Sequence, residues 1–268
     1  MKIVADSGST KTKFALTSEE SENRFVLTDG INPFYQTTDD IVSTLTKQLL
    51  PEIADTSKVE SIEFYGAGCT KEKSPIVAEA LKTIFKNASI TVDTDLTGAA
   101  KALCGSEAGI ACILGTGSNS CLWDGEKIAR NVSPLGFILG DEGSGAVLGK
   151  LLIADILKNQ APTEICEKFN KKYGLTAADI IDRVYRKQFP NRFLASFAPF
   201  LSENIENAYC RTLVYNAFVS FIRRNLKQYP DGYAVSFTGS VAYHFKEILT
   251  KAVKDEDMKL GIINKSPL

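Results

Sequence analysis

Apolar and polar positions alternate over residues 2–6 and 13–17, the period-two pattern of strands, and RFVLTDG from Arg24 reads as a third strand ending at Gly30. The pattern then changes to a helical period over residues 39–50, an acidic amphipathic stretch with Thr38 or Asp39 as its cap. A strand at 61–65, a helix from about 74 to 86 and a strand at 89–92 follow, with short connections. This order predicts a mixed sheet with helices packed on it.

After a helical segment at 96–103 the pattern restarts. Strands at 110–114 and 119–123 make a hairpin, and 127–130 is a candidate third strand. The remainder is richer in helix: 143–157, 162–172, 177–185 and two longer periodic stretches between Phe193 and Tyr229. A strand at 233–237 runs into Thr238-Gly239-Ser240, and a helix is expected from 241 to about 254. The two halves begin alike, which predicts a duplicated hairpin fold.

Both opening hairpins turn on glycine, in ADSGSTKTKFAL and in ILGTGSNSCLW from Ile113. A Gly/Ser/Thr turn offers backbone N–H groups and hydroxyls to an anion, and two such turns suit a triphosphate. Neither is a commoner phosphate loop. The nearest Walker-like match ends at Gly149-Lys150, with Ser144 at the first glycine position and Leu151 at the Ser/Thr position. The dinucleotide fingerprint fails because Ser120 stands where the third glycine belongs.

Composition narrows the ligand. The chain has 268 residues, 44% hydrophobic and 24% charged, with a formal net charge of −1. That is the profile of a soluble two-domain protein, with no basic run to attract nucleic acid or an anionic membrane. The start MKIVADSG has too short an apolar run for a signal peptide, and a cytoplasmic location is expected. Six cysteines show no CxxC pair and read as free thiols, while the single histidine, His244, makes a histidine metal site or triad improbable.

In order, Asp6-x-Gly8-x-Thr10-Lys11, Thr94-Asp95-x-x-Gly98-Ala99, LGTGSN at 114–119, the LGxxxGDEGS run at 135–144 and TGSV at 238–241 resemble the actin/hexokinase/Hsp70 ATPase superfamily. Within it, the chain is similar to the N-acetylglucosamine kinases of the BadF/BadG type ATPase group. The resemblance spans roughly residues 1–245 and implies an α/β, ribonuclease H-like, two-domain actin-like fold, with domains at 1–95 and 96–268 and the nucleotide in the interdomain cleft. It implies ATP and Mg²⁺ as cofactors, a small sugar as substrate and, with symmetry, a homodimer.

Residue chemistry and resemblance together assign roles. Asp6, at the end of the first strand, would repel phosphate unless a cation intervened, so it is expected to serve Mg²⁺, with an Asx turn as the plainer alternative. Gly8, Ser9, Thr10 and Lys11 are expected to contact the β- and γ-phosphates, opposed by Gly115, Thr116, Gly117 and Ser118. Gly239 and Ser240 would line the adenosine pocket. A sugar hydroxyl needs a proton acceptor, and the resemblance places it at Asp95, with Asp93 the near alternative and a helix N-cap the structural one. Asn32, Phe34, Gly136 and Asp141, with Asp95, are the expected sugar contacts, and Tyr35 and Phe137 flank them. Asp141 and Glu142 also read as the acidic start of a helix.

Family members carry a bulky aromatic just before GDEG, where this chain has Leu135 and Phe137, and they continue into a terminal helix where this sequence reads NKSPL. The His and Cys cluster of zinc-containing ROK sugar kinases is missing from the sequence, so no structural zinc is expected. Two other functions share the motifs. An activator of 2-hydroxyacyl-CoA dehydratases would need two exposed cysteines for a shared cluster, and a non-catalytic actin-like switch would not need Asp95.

Overall fold

The computed structural model describes every residue except Ser9, Glu19 and Glu20, and the side chains of Ser21 and Glu22 are also outside the description. It divides into two units, Met1–Ala102 with Pro267–Leu268, and Leu103–Ser266. Sequence had put the boundary at 95/96. The division instead falls in the last turn of α3 (Asp95–Cys104), whose Gly98 lies so close to Tyr65 that an added Cβ would sit 2.6 Å from the tyrosine Cβ.

The first unit is built on a five-stranded sheet of β1 (Lys2–Ser7), β2 (Lys11–Ser18), β3 (Ser21–Asp29), β4 (Ser61–Gly66) and β5 (Ser89–Thr94), in the order β3-β2-β1-β4-β5. β1 pairs antiparallel with β2 and parallel with β4. The alternation of β1 puts Ile3, Ala5 and Ser7 in the interior with Phe14, Phe64 and Phe85, where α1 (Thr38–Gln48) and α2 (Ser74–Ile84) supply Leu45, Val77 and Leu81. A fully buried phenylalanine of this kind contributes roughly 2–3 kcal/mol. The cap of α1 is Thr37, one residue before the expected pair: its side chain accepts from Asp40 N, and Asp40 answers in a capping box.

The second unit repeats the plan. β6 (Gly109–Leu114), β7 (Ser118–Trp123), β8 (Ile128–Val132), β9 (Val235–Thr238) and β10 (Leu260–Asn264) are ordered β10-β9-β6-β7-β8, the first sheet read from its other edge. β6 pairs antiparallel with β7 and parallel with β9, as β1 does with β2 and β4. The duplicated hairpin expected from the sequence is thus present, and the fold is the two-domain actin-like one. β10 was not foreseen, because its register breaks between Leu260 and Ile263, where Gly261 lies against the Ser236 side chain.

Helices fill the long insertion between β8 and β9: α4 (Gly136–Leu139), α5 (Gly145–Leu157), α6 (Thr163–Tyr173), α7 (Ala177–Tyr185), α8 (Pro190–Ala195), α9 (Ala198–Glu203) and α10 (Ala208–Arg224), followed after β9 by α11 (Ser240–His244) and α12 (Lys246–Asp255). The stretch 193–229 therefore holds short helices before one long one. The expected helix at 241–254 breaks at Phe245, which is buried and carries non-helical backbone angles. α5 is apolar nearly all round, and Gly149 meets Leu194 so closely that an added Cβ would fall 1.8 Å from its carbonyl oxygen. Phe169, Tyr173, Phe197 and Phe200 interlock beside it with centroids 4.7–6.1 Å apart. Among the described residues no helix is long and apolar enough to cross a membrane.

Candidate active site

In the first unit the parity of β1 that buries Ser7 turns Asp6 to the other face of the sheet. There it stands opposite Lys13 on β2 and Tyr65 on β4, and Tyr65 stands opposite Asp93 on β5. α3 covers this face, and Asp6, Tyr65, Gly98 and Lys101 border a cavity of about 280 Å³. Burial raises the Asp6 carboxyl to about 6, against the pull of the Lys13 ammonium. A larger cavity of about 860 Å³ lies at the far end of β1 and β2, around Met1, Arg24 and Glu52, away from these carboxylates.

Asp95 is the first residue of α3 rather than its cap. Thr94 does the capping: its hydroxyl accepts from Thr97 N at 3.1 Å. Asp93 is drawn into the same network, accepting from Thr94 N at 2.7 Å and from the Thr97 hydroxyl at 3.1 Å. The Asp95 carboxylate accepts from Leu96 N at 2.9 Å and from its own backbone N–H. Burial, and after it the charge of Asp6, raises the Asp95 carboxyl to about 6. Of the two aspartates, Asp93 is the one bound into the helix start.

The turn between β1 and β2 is held tightly. Gly8 N donates to Lys11 O, and Gly30 N donates to Thr10 O, both at 3.0 Å, so the Gly8 amide is spent on the turn itself. Thr10 and Lys11 are exposed, and Ser9 lies outside the described residues. Below them the wholly buried hydroxyls of Ser7 and Thr12 meet at 2.6 Å, and both accept from Ile31 N at 3.1 Å. They pin the segment that carries Asn32. Asn32 is buried, takes Phe34 N on its Oδ1 at 3.0 Å, and has no further partner for Nδ2 among the described residues. Phe34 and Tyr35 stand exposed beside it.

In the second unit the Gly115–Thr116–Gly117 turn is braced by α5. Gly145 N donates to Gly115 O at 2.8 Å and Ala146 N to Thr116 O at 3.0 Å, while Gly115 N closes on Gly117 O at 2.9 Å. The helix start that could have faced an anion is therefore used to hold the turn. The N–H groups of Thr116 and Gly117 and the Thr116 hydroxyl remain without partners among the described residues. Gly115, Thr116 and Gly145 open into a cavity of about 390 Å³ walled by Ala195, Ala198, Pro199, Val241 and Phe245, with Ser240 and His244 at its polar side. An apolar slot next to free N–H donors suits a nucleoside and its phosphates.

Gly239 serves this site by absence. Its φ is +114°, and a Cβ there would fall 2.3 Å from Leu114 O, at the foot of the turn. The Thr238 hydroxyl beside it is buried and has no partner among the described residues.

The GDEGS run does not begin a helix with its acids. Ser144 is the cap of α5, accepting from Val147 N at 3.2 Å, and Asp141 precedes it at φ +53°. Asp141 accepts from Ser118 N at 3.3 Å and lies against Gly117, so it borders the turn; burial raises its carboxyl to about 6, and the Ser118 bond pulls the other way. Glu142 instead pairs with Arg224 at 2.5 Å and with Asn225. Gly136 sits in an exposed stretch with Leu135, Ile138 and Leu139, at φ +73°.

Comparison with known proteins follows from this geometry. A protein from Porphyromonas gingivalis described as a candidate N-acetylglucosamine kinase has a crystal structure that matches 100% of this chain and 95% of its own at 48% identity and a TM-score of 0.96. The chain belongs to the N-acetylglucosamine kinase family of actin-like ATPases. A second candidate N-acetylglucosamine kinase, from Chromobacterium violaceum, shares the fold at 17% identity and a TM-score of 0.75, covering 99% of this chain and 95% of its own. A ROK family glucokinase from Streptomyces griseus, solved with glucose and AMPPNP, shares it at 16% identity and a TM-score of 0.56, over 98% and 93% of the two chains. No protein-family profile and no curated protein matches the chain.

In this family member, the first unit gathers Asp6, Thr10, Lys11, Asn32, Phe34 and Asp95, and the second gathers Gly115, Thr116, Gly117, Ser118, Asp141, Gly239 and Ser240. Sequence reasoning missed Ser7, Thr12, Thr94 and Ser144. Ser7 and Thr12 carried a readable signal, since each is a polar residue on the buried parity of its strand. Ala198, Pro199 and Ser202 of the slot carried none, because only the packing of α9 brings them to the turn.

Proposed function

We propose that this chain is an ATP-dependent kinase that phosphorylates N-acetylglucosamine, or a closely related amino sugar, on its 6-hydroxyl. The observation that carries the reading is Asp95: Thr94 and Asp93 bear the capping of α3, and its carboxyl, raised to about 6, is ionised near neutrality and basic enough to take a proton. The sugar hydroxyl attacks the γ-phosphorus, the new O–P bond forms as the bond to the β–γ bridging oxygen breaks, and ADP leaves with those electrons. The hydroxyl proton passes to an Asp95 carboxylate oxygen.

Asn32 donates to the sugar through Nδ2, since its Oδ1 is occupied by Phe34 N. Thr116 and Gly117 hold phosphate oxygens by N–H donation, and the slot beside them takes the nucleoside. The donor set also fits Mg²⁺. Asp6 and Asp95 are close enough for one charge to raise the other's pKa, and no described group of three or more acidic, histidine or cysteine side chains offers a full cage. Such a set suits a hard cation held chiefly by phosphate and water, with Asp6 as its protein partner; when bound it would neutralise charge on the transferring phosphate. The dehydratase-activator reading loses support, because none of the six cysteines is exposed and burial raises the thiols of Cys69, Cys104, Cys112 and Cys121.

A coupled ADP-release assay across N-acetylglucosamine, glucosamine, N-acetylmuramic acid and glucose tests the reading. Turnover is expected with N-acetylglucosamine, and release of ADP that no sugar stimulates would overturn it.

A further inference from the structure

The loop of residues 66–70, which leaves β4, has no assigned role. Ala67 N donates to Ser7 O at 2.8 Å, Cys69 N to Gly66 O at 3.1 Å and Thr70 N to Gly68 O at 2.9 Å, so the loop is a tight turn pinned to the end of β1. Its tip, Gly68, has φ +81°. A Cβ at this position would fall 2.3 Å from Asn32 Oδ1 and 2.8 Å from the Phe34 ring. No side chain fits there while Asn32 keeps its place. The next residue, Cys69, is buried, and after burial the charges of Asp95 and Asp93 push its thiol up to about 12, which places the other flank of the turn near the proton acceptor. Within one unit, a single turn thus touches both the group read as sugar donor and the neighbourhood of the catalytic carboxylate.

We propose that Gly68 is a positioning residue that sets acceptor-sugar affinity: its lack of a side chain leaves room for the Asn32 rotamer in which Oδ1 binds Phe34 N and Nδ2 is free for the substrate. The proposal rests on the sugar-kinase reading, with Asn32 as a sugar contact. Its physical basis is steric. At Gly68 a side chain is excluded both by the positive φ and by an oxygen that cannot move without breaking its bond to Phe34 N. Gly105, Gly174 and Gly232 also have positive φ, yet a Cβ at any of them meets nothing within 4 Å. Positive φ alone therefore does not explain Gly68.

The test is Gly68→Ala, Asn32→Ala and the double variant, assayed for both substrates. Gly68→Ala is expected to raise KM for N-acetylglucosamine about tenfold or more while KM for ATP stays within about twofold, since the loss is one of acceptor binding. In the Asn32→Ala background the same change is expected to add less than about twofold to the sugar KM, because the colliding oxygen is gone, while the cost of the positive φ and of the Phe34 contact falls on stability and is read by urea denaturation. Additive losses, or equal losses toward ATP, would mean a merely structural role and overturn the proposal. Should Gly68→Ala fail to fold, the double variant decides: recovery of folding with the sugar KM of Asn32→Ala supports the steric argument, and failure to recover overturns it. A wild-type enzyme that turns over no sugar sinks the parent reading and this inference together, whereas an active wild type with an unchanged Gly68→Ala sinks the inference alone.

Discussion

The turn between β1 and β2 and the turn between β6 and β7 occupy equivalent places in two sheets of the same plan, yet they are built for different work. The first spends its Gly8 amide on closing itself and rests on buried hydroxyls, and the chemistry beside it is carboxylate: Asp6 on the strand and Asp95 at the start of α3. The second has its carbonyls held by the first N–H groups of α5 and keeps two N–H groups and a hydroxyl open. The two sheets share one plan, and the helix beside each hairpin, α3 in the first unit and α5 in the second, gives the two turns different surroundings.

The sharpest way to break this comparison is to remove charge from the first unit alone. Asp95→Asn keeps the size and the bond from Leu96 N but cannot accept the hydroxyl proton, so kcat for sugar phosphorylation is expected to fall about 10²–10⁴-fold while ATP binding, followed by calorimetry, is retained. A near wild-type rate would return the base to Asp93 or to no residue at all. Next in size is Gly239→Ala. With a Cβ 2.3 Å from Leu114 O and φ at +114°, the change is expected to cost about 3 kcal/mol or more of stability in urea denaturation, lowering ATP affinity with it. If stability were unchanged, Gly239 would not be shaping the foot of the second turn.

How far the sequence carried these assignments depended on whether a contact was local. The hairpins, the repeated order of strands and the Asp95 position could be read because period-two alternation, glycine turns and a strand-to-helix junction each announce themselves within a few residues. The bracing of the second turn by Gly145 and Ala146 could not, since it joins elements some thirty residues apart through backbone atoms that any sequence possesses. Gly98 shows the limit from the other side. It was legible as part of a motif, but the contact that leaves no room for a side chain, Tyr65 beneath it, was not. The Asp141 backbone at φ +53° was likewise invisible, so its carboxylate looked like a helix-start acid although it borders the turn at Ser118.

Thr116→Val sharpens the comparison from the second side. It removes one unpartnered hydroxyl and leaves the N–H groups, so KM for ATP is expected to rise about tenfold with KM for the sugar unchanged. A change in sugar KM of similar size would show that the two units do not divide the substrates as their turns suggest.

The last expected effect concerns acid–base behaviour and is read on stability rather than on turnover. Between about pH 4 and 6 a carboxyl raised from 3.8 to about 6 is protonated in the folded chain while the unfolded chain is ionised, so its burden on stability is absent below about pH 4, grows as pH rises from 4 to 6 and is constant above. Replacing it by the neutral amide should therefore stabilise the ligand-free protein at pH 7 and not at pH 4. For Asp95→Asn, where the charge of Asp6 adds to burial, a gain is expected at pH 7 and none at pH 4. For Asp141→Asn, whose carboxyl is raised to the same value chiefly by burial, with the Ser118 N bond opposing it, the gain should be of similar size. Urea denaturation at the two pH values measures both. No gain at pH 7 for either variant would mean that burial does not hold these carboxyls above their ordinary range.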